Sequence, residues 1–167
     1  MRLTEFEQRT KNILDSFERV KNFPALKSFY EKDPEGVEAF LRVMLKHELP
    51  EVKQTACVTA RHLGVREVAD AVALLLDNKN EKTKVLCSAL VALGRIGKPE
   101  EVDKIIPFTE RHRHNWIRQS AVNAIGNLGN KSHLRLLNTI ARTTTNKDER
   151  EATVRAIDCI KARIAIK

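Results

Sequence analysis

The sequence predicts an all-α protein built as a stack of helical hairpins. Apolar residues recur at helical spacing along most of the chain, and a helix-then-glycine unit returns every 32 or 33 residues. Five of the six glycines fall at two fixed positions of that unit.

The unit is clearest from Val85 to Gly97, VLCSALVALGRIG, and from Ile117 to Gly129, IRQSAVNAIGNLG. Superimposed, they match Ala89 with Ala121, Ala92 with Ala124, Gly94 with Gly126 and Gly97 with Gly129. The stretch from Val52 to Gly64 keeps Ala56, Leu63 and Gly64. The stretch from Glu149 to Lys161 keeps Ala156, Ile157 and Ile160 but neither glycine. Apolar residues at helical spacing describe one buried face, small residues let a neighbouring helix approach, and the closing glycine marks a helix end.

A second apolar series follows each glycine: Ala69, Val72 and Leu75, then Val102, Ile105 and Phe108, then Leu134, Leu137 and Ile140. Each unit is therefore a helix, a short turn and an antiparallel helix. One such hairpin cannot bury its own apolar face, so copies stack side by side. Residues 35–47, with Val37, Phe40 and Met44, read as the second helix of an earlier, degenerate copy. Upstream, Leu3, Phe6, Ile13, Leu14, Phe17 and Val20 describe a longer amphipathic helix, and a short helix is expected from Pro24 to Glu31. Pro34, Pro50 and Pro99 sit near helix starts, where a missing N–H costs little. Pro107 falls inside a helix and predicts a kink.

Small residues in mid-helix, the ALGxIG ending and a second amphipathic helix resemble HEAT-like repeats, and more narrowly the short phycobilisome-lyase-type variety. The resemblance covers residues 35 to 165. It implies a right-handed α-solenoid, an α–α superhelix of about four HEAT-like pairs, with first helices convex and second helices concave. Residues 1–34 are expected to form an aromatic-rich helical cap, and residues 35–167 one continuous solenoid domain.

Composition narrows the function classes. The chain has 167 residues, 42% apolar, enough for one domain with a real core and too apolar for wholesale disorder. Its N-terminus lacks the apolar stretch of a signal peptide, and no window approaches a membrane span. Cys57, Cys87 and Cys159 are odd in number and widely spaced, suggesting no disulfide framework or zinc motif. A cytoplasmic protein without cofactor or membrane partner is expected.

The net charge of +8 is unevenly placed. Residues 111–167 hold twelve basic and four acidic residues, whereas basic and acidic residues balance in the first two thirds. The segment Glu110-Arg-His-Arg-His-Asn-Trp-Ile-Arg118 crosses a turn between repeats. Arg111, Arg113 and Arg118 there suit contact with phosphate or an acidic peptide, with Trp116 as a stacking or anchoring ring; the alternative packs Trp116 between adjacent repeats and leaves the arginines solvated. Lys79, Lys82 and Lys84 occupy the turn before, and Arg142, Lys147 and Arg150 the turn after. Stacking converts these clusters into one basic rim, suited to a polyanion or an acidic protein. In the family, the basic residue at the register shared by Lys53, Arg118 and Arg150 commonly bridges repeats, and that role is expected here.

Other chemistry is thinly represented. His112 and His114 lack nearby further ligands for a metal. Gly94-Arg-Ile-Gly97 and Gly126-Asn-Leu-Gly129 end amphipathic helices in register, which explains them without a phosphate or RNA loop. Asp148, Glu149 and Glu151 fall in a helix's first turn, where the macrodipole favours anions. Cys57 and Cys87 read as small apolar filler. No catalytic constellation can be assembled. The final half-repeat packs Val154, Ile157, Ile160 and Ile164 inward with Arg155, Lys161, Arg163 and Lys167 outward, which favours a monomer over a dimer paired through that end.

The reading is a non-catalytic scaffold or adaptor binding another protein. Its runner-up is a nucleic-acid-binding protein using the basic rim, with a DNA-repair glycosylase as a weaker variant. A chromophore-lyase-like or chaperone role rests on the repeat subtype alone.

Overall fold

The computed structural model of the chain describes residues 23–110 and 113–166. The helix anticipated over Leu3–Val20 lies outside the described residues. Among these, nine α-helices follow in order: α1 (Phe23–Lys32), α2 (Pro34–Leu45), α3 (Pro50–Leu63), α4 (Ala69–Asp77), α5 (Thr83–Ile96), α6 (Val102–Ile105), α7 (Asn115–Leu128), α8 (Leu134–Thr143) and α9 (Lys147–Ala165). No strand occurs among the described residues.

Local chemistry sets the boundaries. Pro34 and Pro50 occupy first helical positions, and Pro99 opens a 3-10 turn that leads into α6. The Asp33 carboxylate accepts from the Gly36 N–H at 3.0 Å, and the Asn146 side chain accepts from the Glu149 N–H at 2.9 Å; both satisfy donors that a helix start leaves orphaned. Gly64 closes α3 in the left-handed region, at φ 72°. Gly97 and Gly129 end their helices at φ −70° and −66°, so a left-handed stop is not their task. A Cβ there would lie 2.6 Å from the Leu93 or Ile125 carbonyl oxygen, so crowding keeps both positions bare. The kink anticipated at Pro107 is a change of helix type: α6 stops at Ile105 and continues as a 3-10 turn over Ile106–Thr109.

The first helices α3, α5, α7 and α9 pack consecutively, each on the next. Each second helix packs on the first helix of the following pair: α2 on α3, α4 on α5, α6 with its 3-10 extension on α7, and α8 on α9. Small residues set the spacing. Ala89, Ala92, Ala121, Ala124, Ala152 and Ala156 are buried in the stack. A Cβ on Gly94 would come within 3.1 Å of Ala124 Cα, and one on Gly126 within 2.7 Å of Ala156 Cα and Cβ. Around these contacts Leu90, Leu93, Ile96, Ile125 and Ile160 are fully buried, each contributing about 1.5–3 kcal/mol relative to exposure.

The outer face of α9 differs from the interior junctions. Where Cys57, Leu90 and Val122 are fully buried, the equivalent Val154 is 47% exposed. Asp158 stands at the position of Gly94 and Gly126, and Lys161 at that of Gly97 and Gly129. Arg163 does not add to that polar face as anticipated. Its guanidinium turns back to donate to the carbonyls of Gly126 and Gly129, at 2.7 Å each, and to that of Asn127. It caps the C-terminus of α7, where carbonyls are orphaned and the dipole favours a cation. Lys167 lies outside the described residues.

Candidate functional site

The turns joining one pair to the next lie along one edge of the stack, tied to neighbouring first helices by ion pairs. Lys53 at the start of α3 reaches Glu81 in the turn before α5, Nζ to Oε2 at 2.5 Å. Arg118 in α7 grips Glu149 in α9, Nε to Oε1 and Nη2 to Oε2, both at 2.8 Å. Its Nη1 donates to the Arg113 carbonyl at 3.0 Å. Lys53 and Arg118 thus take the anticipated bridging role. Arg150 instead donates to the Thr144 carbonyl at 2.8 Å, within the turn that precedes its own helix.

These pairs remove the edge's two inner carboxylates from solvent. Both Glu81 and Glu149 have buried side chains. Burial works against the ionised form of Glu81, yet hydrogen bonds from Lys53, the Lys82 N–H and Asn78 outweigh it and hold the carboxyl below its ordinary range. Glu149 was anticipated only as a first-turn anion. It also accepts from the Thr144 hydroxyl, and with Arg118, Asn115, Thr143 and Thr145 it lines a hollow of about 340 Å³.

What remains at the surface is mixed in sign: Asp77, paired with Lys104 at 2.9 Å, and Glu110 are exposed at the register of Arg142. Lys79, Lys82, Lys84, Arg142 and Lys147 are all exposed. The first four have no hydrogen bond or ion pair from their side chains among the described residues; Lys147 has a loose 3.9 Å pair with Glu151. Glu51 and Asp148 are the exposed acids in the row of first-turn positions that also holds Lys84 and Trp116.

Trp116 does not pack between repeats. Its side chain is exposed in the first turn of α7, at 69%, where the Trp116 backbone N–H donates to a His114 ring nitrogen at 3.4 Å. The buried face of that turn is filled by Ile117, leaving the indole outside. Arg113 behaves in the opposite way to expectation. It is half-buried, with its guanidinium 5.1 Å from the centroid of the Phe108 ring. It belongs to the junction between pairs rather than to the exposed rim. Arg111 and His112 lie outside the described residues.

A second surface was missed by sequence reasoning. On the second helices, buried positions of α2 correspond to those of α4 and the 3-10 turn Arg66–Val68 before it at an offset of 31 residues: Val37 with Val68, Phe40 with Ala71, Leu41 with Val72 and Met44 with Leu75. The same register carries exposed residues in successive helices. One row reads Val43, Leu74, Pro107, Thr139; beside it stand Ala39, Asp70, Asp103, Arg135 on one flank and Lys46, Asp77, Glu110, Arg142 on the other. Leu74 is 58% and Val43 46% exposed.

Burial, reinforced by the nearby Glu81 charge, pushes the Cys57 thiol up to about 12, and burial also raises Cys87. Cys57 is fully buried, as apolar filler would be, whereas Cys87 is only partly buried. Among the described residues no group of three or more His, Cys, Asp or Glu side chains could hold a metal ion, and no helix is long and apolar enough to cross a membrane.

A family model for HEAT repeats matches residues 73–158, more than half of the chain. The chain belongs to the HEAT-repeat family. HEAT repeats commonly mediate protein–protein interaction, and scaffolds built from them are generally non-catalytic. No curated protein sequence matches the chain significantly.

Proposed function

We propose that the protein is a non-catalytic scaffold that docks an acidic segment of another protein along its inter-pair edge. The observation that carries this reading is the placement of Trp116. An indole 69% exposed leaves its ring open to a partner, and tryptophan is enriched among residues that dominate interface energetics. Around it the edge offers Lys79, Lys82, Lys84, Arg142 and Lys147, while Glu81 and Glu149 are spent in buried pairs. Docking on a preformed helical surface avoids the ordering cost of a flexible binder. The free cysteines suit a cytoplasmic setting, and the charged outer face of α9 suits a monomer.

The test compares the wild type with a Lys82→Glu, Arg142→Glu, Lys147→Glu triple variant as bait in nuclease-treated native extract. Equal helicity and melting of the two baits establish that the fold is unchanged. A protein retained by the wild type and lost by the variant is expected. Retention of nothing, or equal retention by wild type and variant, contradicts the proposal.

The exposed cations also favour a second reading, nucleic-acid binding. That reading requires a labelled DNA or RNA duplex to bind with an affinity that falls steeply with salt, by about 0.9 log units per log unit of salt for each phosphate neutralised.

A further inference from the structure

We infer that Arg113 is a binding site for one carboxylate of the partner protein, an Asp or Glu side chain that completes a charge pair left open between α5 and α7. This rests on the docking-edge reading and names the group that the edge receives.

The ladder of ion pairs along the edge is broken at its middle step. Counted by the repeat, Lys53, Leu86 and Arg118 share one position, and Glu81, Arg113 and Thr145 share another. Between α3 and α5 these positions hold Lys53 and Glu81, paired at 2.5 Å. Between α7 and α9 Thr145 supplies no acid, and Glu149 pairs with Arg118 instead, at 2.8 Å. Between α5 and α7 the base is replaced by the buried Leu86 and the acid by Arg113. A cation therefore stands where the first junction has a carboxylate. The Arg113 side chain has no hydrogen bond or ion pair among the described residues.

The guanidinium is nonetheless held in place. It lies 5.1 Å from the centroid of the Phe108 ring, and its Nε is shut off from solvent without a hydrogen-bond partner. A buried donor left unmade is costly, and a partly desolvated cation without a counter-charge more so. A single cation–π contact offsets only part of that cost. With Nε closed off, the terminal nitrogens Nη1 and Nη2 are the donors that remain, and together they match both oxygens of a carboxylate approaching end-on. One guanidinium balances the single charge of a carboxylate but not the nearly double charge of a phosphate monoester. The pairs on either side, Lys53 with Glu81 and Arg118 with Glu149, use the same chemistry within the chain.

The experiment reads stability and binding together, on the full chain. Arg113→Met keeps an apolar stem and removes the charge, so it is expected to raise the urea midpoint of the free protein; an arginine with a purely structural role would lower it. The binding probe is a fluorescein-labelled Glu-rich peptide read by anisotropy. Arg113→Met is expected to weaken its binding by about tenfold or more. Leu86→Glu, which supplies a carboxylate from within the chain, is expected to weaken binding to the otherwise wild-type protein and much less in the Arg113→Met background. The same peptide with phosphoserine in place of Glu is expected to lose little affinity in Arg113→Met. A lower urea midpoint for Arg113→Met, unchanged Glu-peptide affinity in that variant, an equal loss for both peptides, or no binding of the Glu peptide to the wild type each overturns the inference. The docking-edge reading fails separately, if the Lys82→Glu, Arg142→Glu, Lys147→Glu variant binds the Glu peptide as tightly as the wild type does.

Discussion

Arg118 holds Glu149 with two arms of one guanidinium, at 2.8 Å each, across 31 residues of sequence. The fork ties the third helical hairpin to the last helix, and its remaining nitrogen ties both to the turn at Arg113. Breaking a buried pair leaves one uncompensated charge, whereas replacing both partners with apolar residues of similar size is often neutral. Arg118→Ala is expected to destabilise the protein by about 3–5 kcal/mol. The Arg118→Met, Glu149→Leu double variant is expected to recover most of that loss, as measured by urea unfolding. Equal stability of wild type and Arg118→Ala would remove the pair from the account.

The glycines inside the first helices make a graded prediction. A Cβ on Gly126 would stand 2.7 Å from Ala156 Cα and Cβ, while one on Gly94 would stand 3.1 Å from Ala124 Cα. Overpacking costs about 1–3 kcal/mol, and the better helix propensity of alanine returns about 1 kcal/mol. Gly126→Ala is expected to lower the melting temperature, and Gly94→Ala to lower it less. The reverse order would mean that the helix separation is set elsewhere.

Acid sensitivity follows from Glu81. Its folded carboxyl titrates below the unfolded value of 4.5, so the Lys53–Glu81 pair contributes fully above that pH. Its contribution is lost as pH falls through the lower, folded value. Wild type is expected to exceed Glu81→Gln in stability at neutral pH, with the gap closing only below pH 4.5. A gap that widens on acidification would reverse the sign of the argument.

The repeat register was legible because it depends on residue size. Ala89, Ala121, Gly94 and Gly126 recur where helices must approach, and the same alignment finds the second helices. The partners of individual charges were not legible in the same way. Nothing near Glu149 in sequence points to Arg118, so a first-turn anion was the simplest reading until folding brought the fork to it. Arg113 and Arg163 look like surface cations in the sequence; tertiary structure turns one onto Phe108 and the other onto carbonyls of α7. Trp116 was ambiguous because one turn of helix offers both a buried and an open side, and Ile117 takes the buried one. The row through Val43, Leu74 and Pro107 could have been found by aligning exposed positions of the second helices as carefully as buried ones.

Trp116 is the chain's single tryptophan, so its emission reports this site alone. An indole 69% exposed is expected to emit at the wavelength of free indole in water and to be readily quenched by acrylamide. Trp116→Phe is expected to change stability by no more than about 0.5 kcal/mol, as for surface positions generally. A blue-shifted, poorly quenched emission would return the ring to the interior.

The docking edge is tested most directly by placing a photo-crosslinking amino acid at position 116 and irradiating the protein in native extract. The account predicts a discrete protein adduct that survives nuclease and disappears when Lys82, Arg142 and Lys147 are changed to Glu. An adduct that nuclease removes, or a surface at position 116 that crosslinks to nothing, would contradict it.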